Sequence, residues 1–255
     1  MDRGVRFVVF ESLKQRLIIE GYIEALTPLH VGAGGPELTG EPIPVIKGVG
    51  GRPYIPGSSI KGKVRSEVER LARSLGLKVC SPPDVKRMCG SNVNREDDLC
   101  VACRIFGTAG GKLSMASKVK FRDAFPEGDV RPQERPGVAI DRDRGAVEPR
   151  RLYTLEVVPE GTRFRLEVVC ENIEDHELKM LMSAMVRGLS DTGLGGHVSR
   201  GLGKVRAVIE RVRVREPKYY LGMEDEKVIE GAELQEWLEK MTKLTEDDLK
   251  KFPRP

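Results

Sequence analysis

The sequence of 255 residues is poor in aromatic side chains, with one Trp, five Tyr and seven Phe making up 5% of the chain. A nucleic-acid surface built on stacked rings is therefore not expected, and any RNA contact should fall mostly on phosphate and sugar. Long apolar runs are missing too. None approaches the ~20 residues a helix needs to cross a bilayer, and the start, Met1-Asp2-Arg3-Gly4-Val5-Arg6, has no signal-peptide apolar segment. The expectation is a soluble cytoplasmic protein with no membrane partner. Amides are scarce, with three Asn and three Gln beside abundant Glu, Lys and Arg. Few thermolabile side chains among many ionic ones point to a thermophile, with compositional drift as the plain alternative.

What is present is unevenly placed. The 28 Gly cluster around 32–62 and 188–203, where the chain needs unusual backbone geometry or close approach to a ligand. The formal net charge is +4. Residues 216–255 hold 11 acidic and 7 basic side chains, net −4, and residues 1–215 hold 28 acidic and 36 basic, net +8. A basic body with an acidic tail suits a polyanion partner; a solvated ionic surface is the alternative reading.

Apolar spacing divides the chain into elements. Leu17 to Leu26 reads as a strand. A Gly/Pro-rich loop covers 27–57, after which Ser58 and Ser59 are placed to cap a helix. Ile60, Val64, Val68, Leu71 and Leu75 follow at helical spacing, and Gly76 is a stop signal. Lys118 to Arg122 alternates as a short strand. Residues 126–150 are charged and rich in Pro and Gly, the composition of a protruding loop or hairpin. Phe164, Leu166, Val168 and Cys170 alternate as a further strand. Leu178, Leu181, Met182, Met185, Val186 and Leu189 form a helical stripe. A Gly-rich loop then precedes a strand from Lys204 to Arg215, with a bulge near Ile209. Lys227 to Leu244 has helical spacing, and Thr245 with Asp248 resembles a capping box. The order strand, helix, strand, strand, helix, strand predicts an α+β fold of the ferredoxin-like, or RRM-like, βαββαβ type. Both helices would lie on one sheet face, leaving the other to meet RNA.

Three segments carry chemistry. Cys80, Cys89, Cys100 and Cys103 sit in polar sequence that cannot form a core alone. The terminal Cys-x-x-Cys offers two tetrahedral ligands and the upstream thiols two more, which suits structural zinc; disulfides and unlinked thiols are the rivals. Nothing suggests an open, catalytic coordination position. Cys170 lies in a strand pattern and reads as a small core residue. The segment Tyr54-Ile55-Pro56-Gly57-Ser58-Ser59-Ile60-Lys61-Gly62-Lys63-Val64-Arg65 places two hydroxyls, free helix N–H groups and three cations together, a physically sound phosphate site; ordinary capping beside surface lysines is the alternative. The loop from Gly193 to Lys204 lies before a strand, so it fits neither a dinucleotide nor a P-loop context. Its N–H groups with Arg200 and Lys204 suit a sugar-phosphate backbone.

These segments together resemble a family. Leu29-His30-Val31-Gly32, then Pro53-x-Ile55-Pro56-Gly57-Ser58-Ser59-x-Lys61-Gly62-x-x-Arg65, is similar to the pattern of RAMP proteins of CRISPR systems. Cys100-x-x-Cys103-Arg104-Ile105-Phe106-Gly107, Phe121-Arg122-Asp123-Ala124, Ile140-Asp141-Arg142 and Ser199-Arg200-Gly201-Leu202-Gly203 continue it in order, over roughly residues 15–215. The likeness is to a backbone-type subunit of a type III effector complex. It implies several copies polymerising head to tail along a guide RNA, beside other effector subunits, and positioning a target RNA. Residues 1–215 would form the RAMP domain, with insertions at 27–57, at 78–104 for zinc and at 126–155 as a thumb; 216–255 would be a helical tail.

The resemblance also implies site residues. Ser58, Ser59, Lys61, Lys63 and Arg65, with Arg122 and the loop residues Gly195, Gly196, His197, Ser199 and Arg200, would grip guide RNA, and Asp141 and Arg142 would lie in the thumb. Some family members cleave target RNA with an Asp in the loop after the first strand. Beside Pro44-Val45-Ile46-Lys47 the corresponding position here is Pro42, no Asp lies between Asp2 and Asp84, and Glu41 is the nearest carboxylate, with Glu37 another. The expectation is a non-cleaving or weakly cleaving subunit. The alternative is an endonuclease using Mg²⁺ or Mn²⁺ at Glu41, and a third reading is a metal-independent guide-processing ribonuclease with His30 as base. An architectural His30 is the simpler reading, His197 would contact RNA, and His176 needs no role.

Overall fold

A computed structural model describes residues 6–8, 12–32, 42–145 and 147–254. Glu37 and Glu41 lie outside the described residues. In chain order the elements are β1 (Arg6–Val8), β2 (Arg16–Ala25), α1 (Gly57–Ser74), α2 (Cys89–Asn92), α3 (Val101–Phe106), β3 (Leu113–Met115), β4 (Val119–Phe121), β5 (Gln133–Ile140), β6 (Val147–Val157), β7 (Arg163–Glu171), α4 (Asp175–Ser183), α5 (Leu189–Thr192), β8 (Val205–Arg215), α6 (Pro217–Tyr220), β9 (Lys227–Ile229), α7 (Gly231–Met241) and α8 (Glu246–Lys250). A π-helical turn, Ala184–Gly188, joins α4 to α5.

The molecule is α+β with antiparallel pairing in its main sheet, whose order is β4-β7-β2-β8-β9. The alternation read from sequence places Leu17, Ile19, Ile23 and Ala25 of β2 and Phe164, Leu166, Val168 and Cys170 of β7 in the core. From α1, Ile60, Val64, Val68 and Ala72 meet them, and from the second helical stretch Leu178, Leu181, Met182, Met185 and Leu189. Leu75 is not part of that stripe. The helix ends at Ser74, Gly76 follows at φ 68°, and Leu75 is left 47% exposed.

The bulge expected near Ile209 is present. The register steps from Glu20↔Arg211 to Gly21↔Ile209, leaving Glu210 as the extra residue. Gly21 is required there, because a Cβ would collide with the Val208 carbonyl.

Two further expectations need correction. Lys227–Ile229 is a strand, not the start of a helix: it adds to the sheet edge with Val212↔Ile229, and α7 begins only after Gly231 turns at φ 61°. Pairing to β8 outweighs the helical spacing of so short a run. Second, neither Ser58 nor Ser59 caps α1. The N-cap is Pro56, and the Gly57 N–H donates to Asp123 Oδ1 at 2.7 Å. A carboxylate from the chain after β4 thus satisfies the helix terminus. The capping box of α8 is as expected: Thr245 Oγ1 accepts from the Asp248 N–H at 3.2 Å, and Asp248 Oδ2 accepts from the Thr245 N–H at 3.0 Å.

β5 and β6 pair as a long two-stranded hairpin with its own sheet. Its foot is held by a small apolar cluster of Leu155, Val157 and Leu202, with Ile43 and Tyr153 against it.

Candidate nucleic-acid interface and metal centre

Four cysteines spread over residues 80–103 converge. The sulfurs of Cys80, Cys89, Cys100 and Cys103 all lie within 4.8 Å of one another, and all four residues are buried. Cys80 Sγ is 3.5 Å from Cys103 Sγ and 3.6 Å from Cys100 Sγ. No pair is bridged at the ~2.05 Å of a disulfide; all are free thiols. Hydrogen bonds from Cys100, Cys103 and Cys89 hold the Cys80 thiol well below its ordinary pKa. Cys100 is brought down to about 7, chiefly by its bond to Cys103. Four buried sulfurs this close together could hold a metal ion, and four thiolates would fill a tetrahedral shell with no open position. Cys170, alone in β7, has its thiol pushed up to about 12 by burial.

The cluster is tied to the core. Leu99, Val101, Ile105 and Phe106 are buried beside it. Arg104 Nε lies 3.3 Å from Glu177 Oε1, and Lys118 Nζ donates to both Glu177 oxygens at 2.9 and 2.6 Å. Glu177 has no exposed surface and also accepts from the Glu174 N–H at 3.1 Å. Arg65 reaches the cysteine cluster from α1. Its Nε donates to Glu69 at 3.0 Å, and its NH2 group lies 3.9 Å from Cys103 Sγ. Burial works against the Arg65 charge, but Glu69 and the nearby sulfurs hold its pKa above the usual value.

The other α1 cations have internal partners as well. Lys61 Nζ donates to Ser117 Oγ at 3.1 Å, and burial, with Arg65 nearby, lowers its pKa. Lys63 Nζ donates to the Thr192 carbonyl at 3.2 Å, which sets the first turns of α1 beside the start of the Gly-rich loop. Ser58 is exposed and Ser59 half-buried.

The Gly-rich loop is knotted to the 29–32 segment and the hairpin foot. The Gly196 N–H donates to the His30 carbonyl at 2.8 Å, and the Gly203 N–H to that of Pro28 at 2.9 Å. Gly195 takes φ 80° against the His30 carbonyl, so close that a Cβ would collide with it. His30 is buried, and its Nδ1 lies 2.7 Å from the Glu156 carbonyl oxygen. That oxygen can only accept, so Nδ1 carries the proton. The Glu156 carboxylate accepts from Lys47 Nζ at 2.8 Å and from the Val45 N–H at 3.1 Å. His30 therefore acts as a structural knot. His197 takes the left-handed conformation at φ 56°, with its ring 5.6 Å from His30 and 6.5 Å from Tyr153. Arg200 donates to the Tyr153 hydroxyl at 3.2 Å, and Ser199 is exposed. A cavity of about 130 Å³ lies between this loop and the hairpin foot.

Asp141 opens the hairpin turn, its Oδ1 accepting from the N–H groups of Asp143 at 2.8 Å and Arg144 at 3.2 Å; Arg142 is exposed. Arg122 is exposed at the end of β4, 3.4 Å from Glu167.

The open sheet face differs from the expected RNA platform. It is a lattice of ion pairs: Arg16–Glu171 at 2.5 Å, Lys120–Glu171 at 2.8 Å, Arg206–Glu24 at 2.6 Å, Arg122–Glu167 at 3.4 Å, and Arg213–Glu20. Its half-buried ring, Tyr22, is covered by Arg163 at 4.6 Å. These pairs engage Arg16, Lys120, Arg122, Arg206 and Arg213 internally, while exposed Arg165 of the same face has no ion-pair partner among the described residues. Sequence reading missed Asp123, Glu156, Tyr153 and Glu177. Asp123 was visible only as part of Phe121-Arg122-Asp123-Ala124, and no local pattern marks the others.

A family model described as the RAMP superfamily matches residues 22–206. The protein named CRISPR system Cms endoribonuclease Csm3 from Methanocaldococcus jannaschii is 33% identical over 231 residues, covering 85% of this chain and 88% of that protein. Its namesake from Methanothermobacter thermautotrophicus is 29% identical over 239 residues, covering 82% and 90%. A chain of the Csm3-Csm4 subcomplex in the type III-A CRISPR-Cas interference complex is similar at TM-score 0.55 and 25% identity, over 92% of this chain and 98% of that one. The crystal structure of Methanopyrus kandleri Csm3 shares the fold at TM-score 0.61 and 22% identity, over 90% and 97%. With a family match through most of its length and relatives aligned nearly end to end, the chain belongs to the RAMP superfamily.

Proposed function

We propose that this chain is a guide-RNA-binding backbone subunit of a type III CRISPR effector complex. In this reading several copies line the guide, contact other effector subunits and position target RNA in the cytoplasm. The observation that carries it is the near end-to-end similarity to proteins named Csm3, one solved structure of which is titled as a Csm3-Csm4 subcomplex. The order β2-α1-β4-β7-α4/α5-β8 with strand order β4-β7-β2-β8 supports a ferredoxin-like core. On it, the guide runs past the start of α1 (Ser58, Ser59, Lys61, Lys63, Arg65), Arg122 and the Gly-rich loop (Gly195, Gly196, His197, Ser199, Arg200). The hairpin, carrying Asp141 and Arg142, is the thumb, and 216–255 is the tail. The closed cysteine set is a structural zinc site. Tetrahedral Zn–S bonds of ~2.3 Å put sulfurs about 3.8 Å apart, close to the spacings found here. Zinc there organises a polar segment and takes no part in chemistry.

A second reading is favoured by the relatives' names, which include "endoribonuclease": a target-RNA endonuclease using Mg²⁺ or Mn²⁺ with a loop carboxylate, Glu41. One experiment separates the two. Guide-loaded protein is given labelled target RNA with Mg²⁺ or Mn²⁺, beside a Glu41→Ala control. Tight guide binding without cuts supports the scaffold; regularly spaced cuts lost in the control support the endonuclease. Failure to bind guide RNA removes both.

A further inference from the structure

The C-terminal segment builds a pocket that the proposed RNA surface does not use. It holds about 440 Å³ where the start of β2, the end of β8, β9 and α7 meet. Buried Leu17, Leu178 and Ile229 floor it, and half-buried Trp237 lines it. Its rim carries four exposed carboxylates, Asp175, Glu216, Glu224 and Asp225, and exposed Lys227. Among the described residues Asp175, Glu216 and Asp225 have no ion-pair partner, whereas Glu224 holds Lys218 at 2.5 Å and Lys227 turns to Glu233 at 2.8 Å. On the open sheet face, by contrast, Glu20, Glu24, Glu167 and Glu171 are each matched by a cation. Beside the rim Leu221 is 73% exposed and Met223 69%, with Tyr220 next to them. Exposed apolar side chains around an apolar floor with unmatched carboxylates suit a protein carrying cations. Phosphate would be repelled.

The complementary chemistry is on the same chain. The loop between Cys80 and Cys89 presents Val85, 65% exposed, followed by exposed Lys86 and Arg87. Among the described residues neither cation has an ion-pair partner. The loop is held in shape: Asn92 Nδ2 donates to the carbonyls of Val85, Lys86 and Met88 at 3.3, 3.1 and 2.7 Å, and the Lys86 N–H donates to Asp84 Oδ1 at 2.9 Å. The whole-chain charge has the same polarity, with the tail at net −4 and the body at net +8.

We propose that the acidic pocket of one copy receives the Val85-Lys86-Arg87 loop of a second copy. The contact is heterologous: it joins two different surfaces, so each copy keeps a free pocket or a free loop for the next one. Val85 packs on the apolar patch, while a long cationic side chain lays its methylenes along the floor and Trp237 and its head group against the rim. A loop already ordered by Asn92 loses little entropy on docking. The inference rests on the reading of this chain as an oligomerising subunit and adds a protein surface by which the copies meet.

The test uses full-length, metal-loaded protein. Self-association without RNA is followed by sedimentation velocity at low and high salt, and guide-RNA affinity is measured separately. Glu216→Lys with Asp225→Lys reverses the pocket, Lys86→Glu with Arg87→Glu reverses the loop, and a third variant carries all four changes. Each reversal should weaken self-association by roughly tenfold or more with single-copy guide affinity unchanged, and the fourfold variant should recover it. Unchanged melting temperature and metal content establish that the variants fold. Wild-type-like association in either reversal, or no recovery in the fourfold variant, overturns the pairing. So does a wild-type protein that stays monomeric without RNA. Lost guide affinity with association intact in the loop variant makes that loop an RNA contact instead. Failure of the wild type to bind guide RNA removes the functional reading but leaves the association result standing.

Discussion

Replacing Glu177 with Ala should unfasten the cysteine-bearing segment from the core. Glu177 has no exposed surface, and it is the common acceptor for Lys118 at 2.6 Å and Arg104 at 3.3 Å. Both cations are themselves largely buried, with side chains 10% and 17% exposed. Removing one partner of a buried ion pair leaves uncompensated charge and costs about 3–5 kcal/mol. Glu177 also accepts from the Glu174 N–H in the capping box of α4, and loss of a cap contributes ~1 kcal/mol. The two effects share one side chain and overlap, so the expected loss for Glu177→Ala is about 4 kcal/mol. Glu177→Gln keeps the shape and one acceptor and should lose less. Arg104 directly follows Cys103 on α3, so the loosened protein should also release bound metal faster to a chelator. Denaturant unfolding gives the first quantity and a colorimetric chelator the second. A loss below about 1 kcal/mol with metal retention unchanged would show that Lys118 and Arg104 relax to water, and that the triad does not fasten the segment.

Three further outcomes follow from the same geometry. His176 is buried against Phe252, its rings 4.6 Å apart, with Nε2 unpartnered; burial lowers its pKa, while Glu177 and Glu174 act to raise it and Arg104 and Lys251 to lower it. A depressed pKa means the folded state holds the neutral ring, so its contribution is present above the ordinary histidine pKa of ~6.5 and lost as pH falls below it. Melting temperature should therefore fall between pH 7 and pH 5, and less steeply in His176→Phe; an equal slope in the variant would clear His176. Gly195→Ala, at φ 80° against the His30 carbonyl, should cost ~1–3 kcal/mol and weaken guide binding; unchanged affinity in a gel-shift titration would take this loop out of the interface. Lys61→Ala should weaken guide binding and flatten its dependence on log salt by about one unit, whereas Arg65→Ala, beside Cys103, should also speed metal loss. Unchanged affinity and slope in both would remove the start of α1 from the RNA surface.

How much was legible beforehand follows from the range of each interaction. The β2 alternation from Leu17, the α1 stripe from Ile60, the Thr245–Asp248 box and the Ile209 bulge are set by neighbours a few residues apart, and sequence spacing reports them directly. The cysteine spacing gave four donors, since a thiolate needs only proximity. The start of α1 was legible as a helix terminus but not as one already satisfied, because its acceptor, Asp123, is 66 positions away. The Lys227–Ile229 strand was misread for a related reason: three residues carry too little pattern to outweigh a flanking helical repeat, and β8 decided the matter.

The sequence by itself determined the α+β element order, the two helical stripes, the cysteine donor set and the family, because each rests on local periodicity or on ordered motifs. Only the tertiary structure decided what the charges do. It matched Arg16, Arg122, Arg206 and Arg213 of the open sheet face to glutamates, engaged Lys61, Lys63 and Arg65 with internal partners, and left Asp175, Glu216 and Asp225 without ion-pair partners among the described residues around an apolar pocket. The physical reason is that a charge's role depends on which opposite charge the fold brings within ~4 Å, and chain order does not encode that distance.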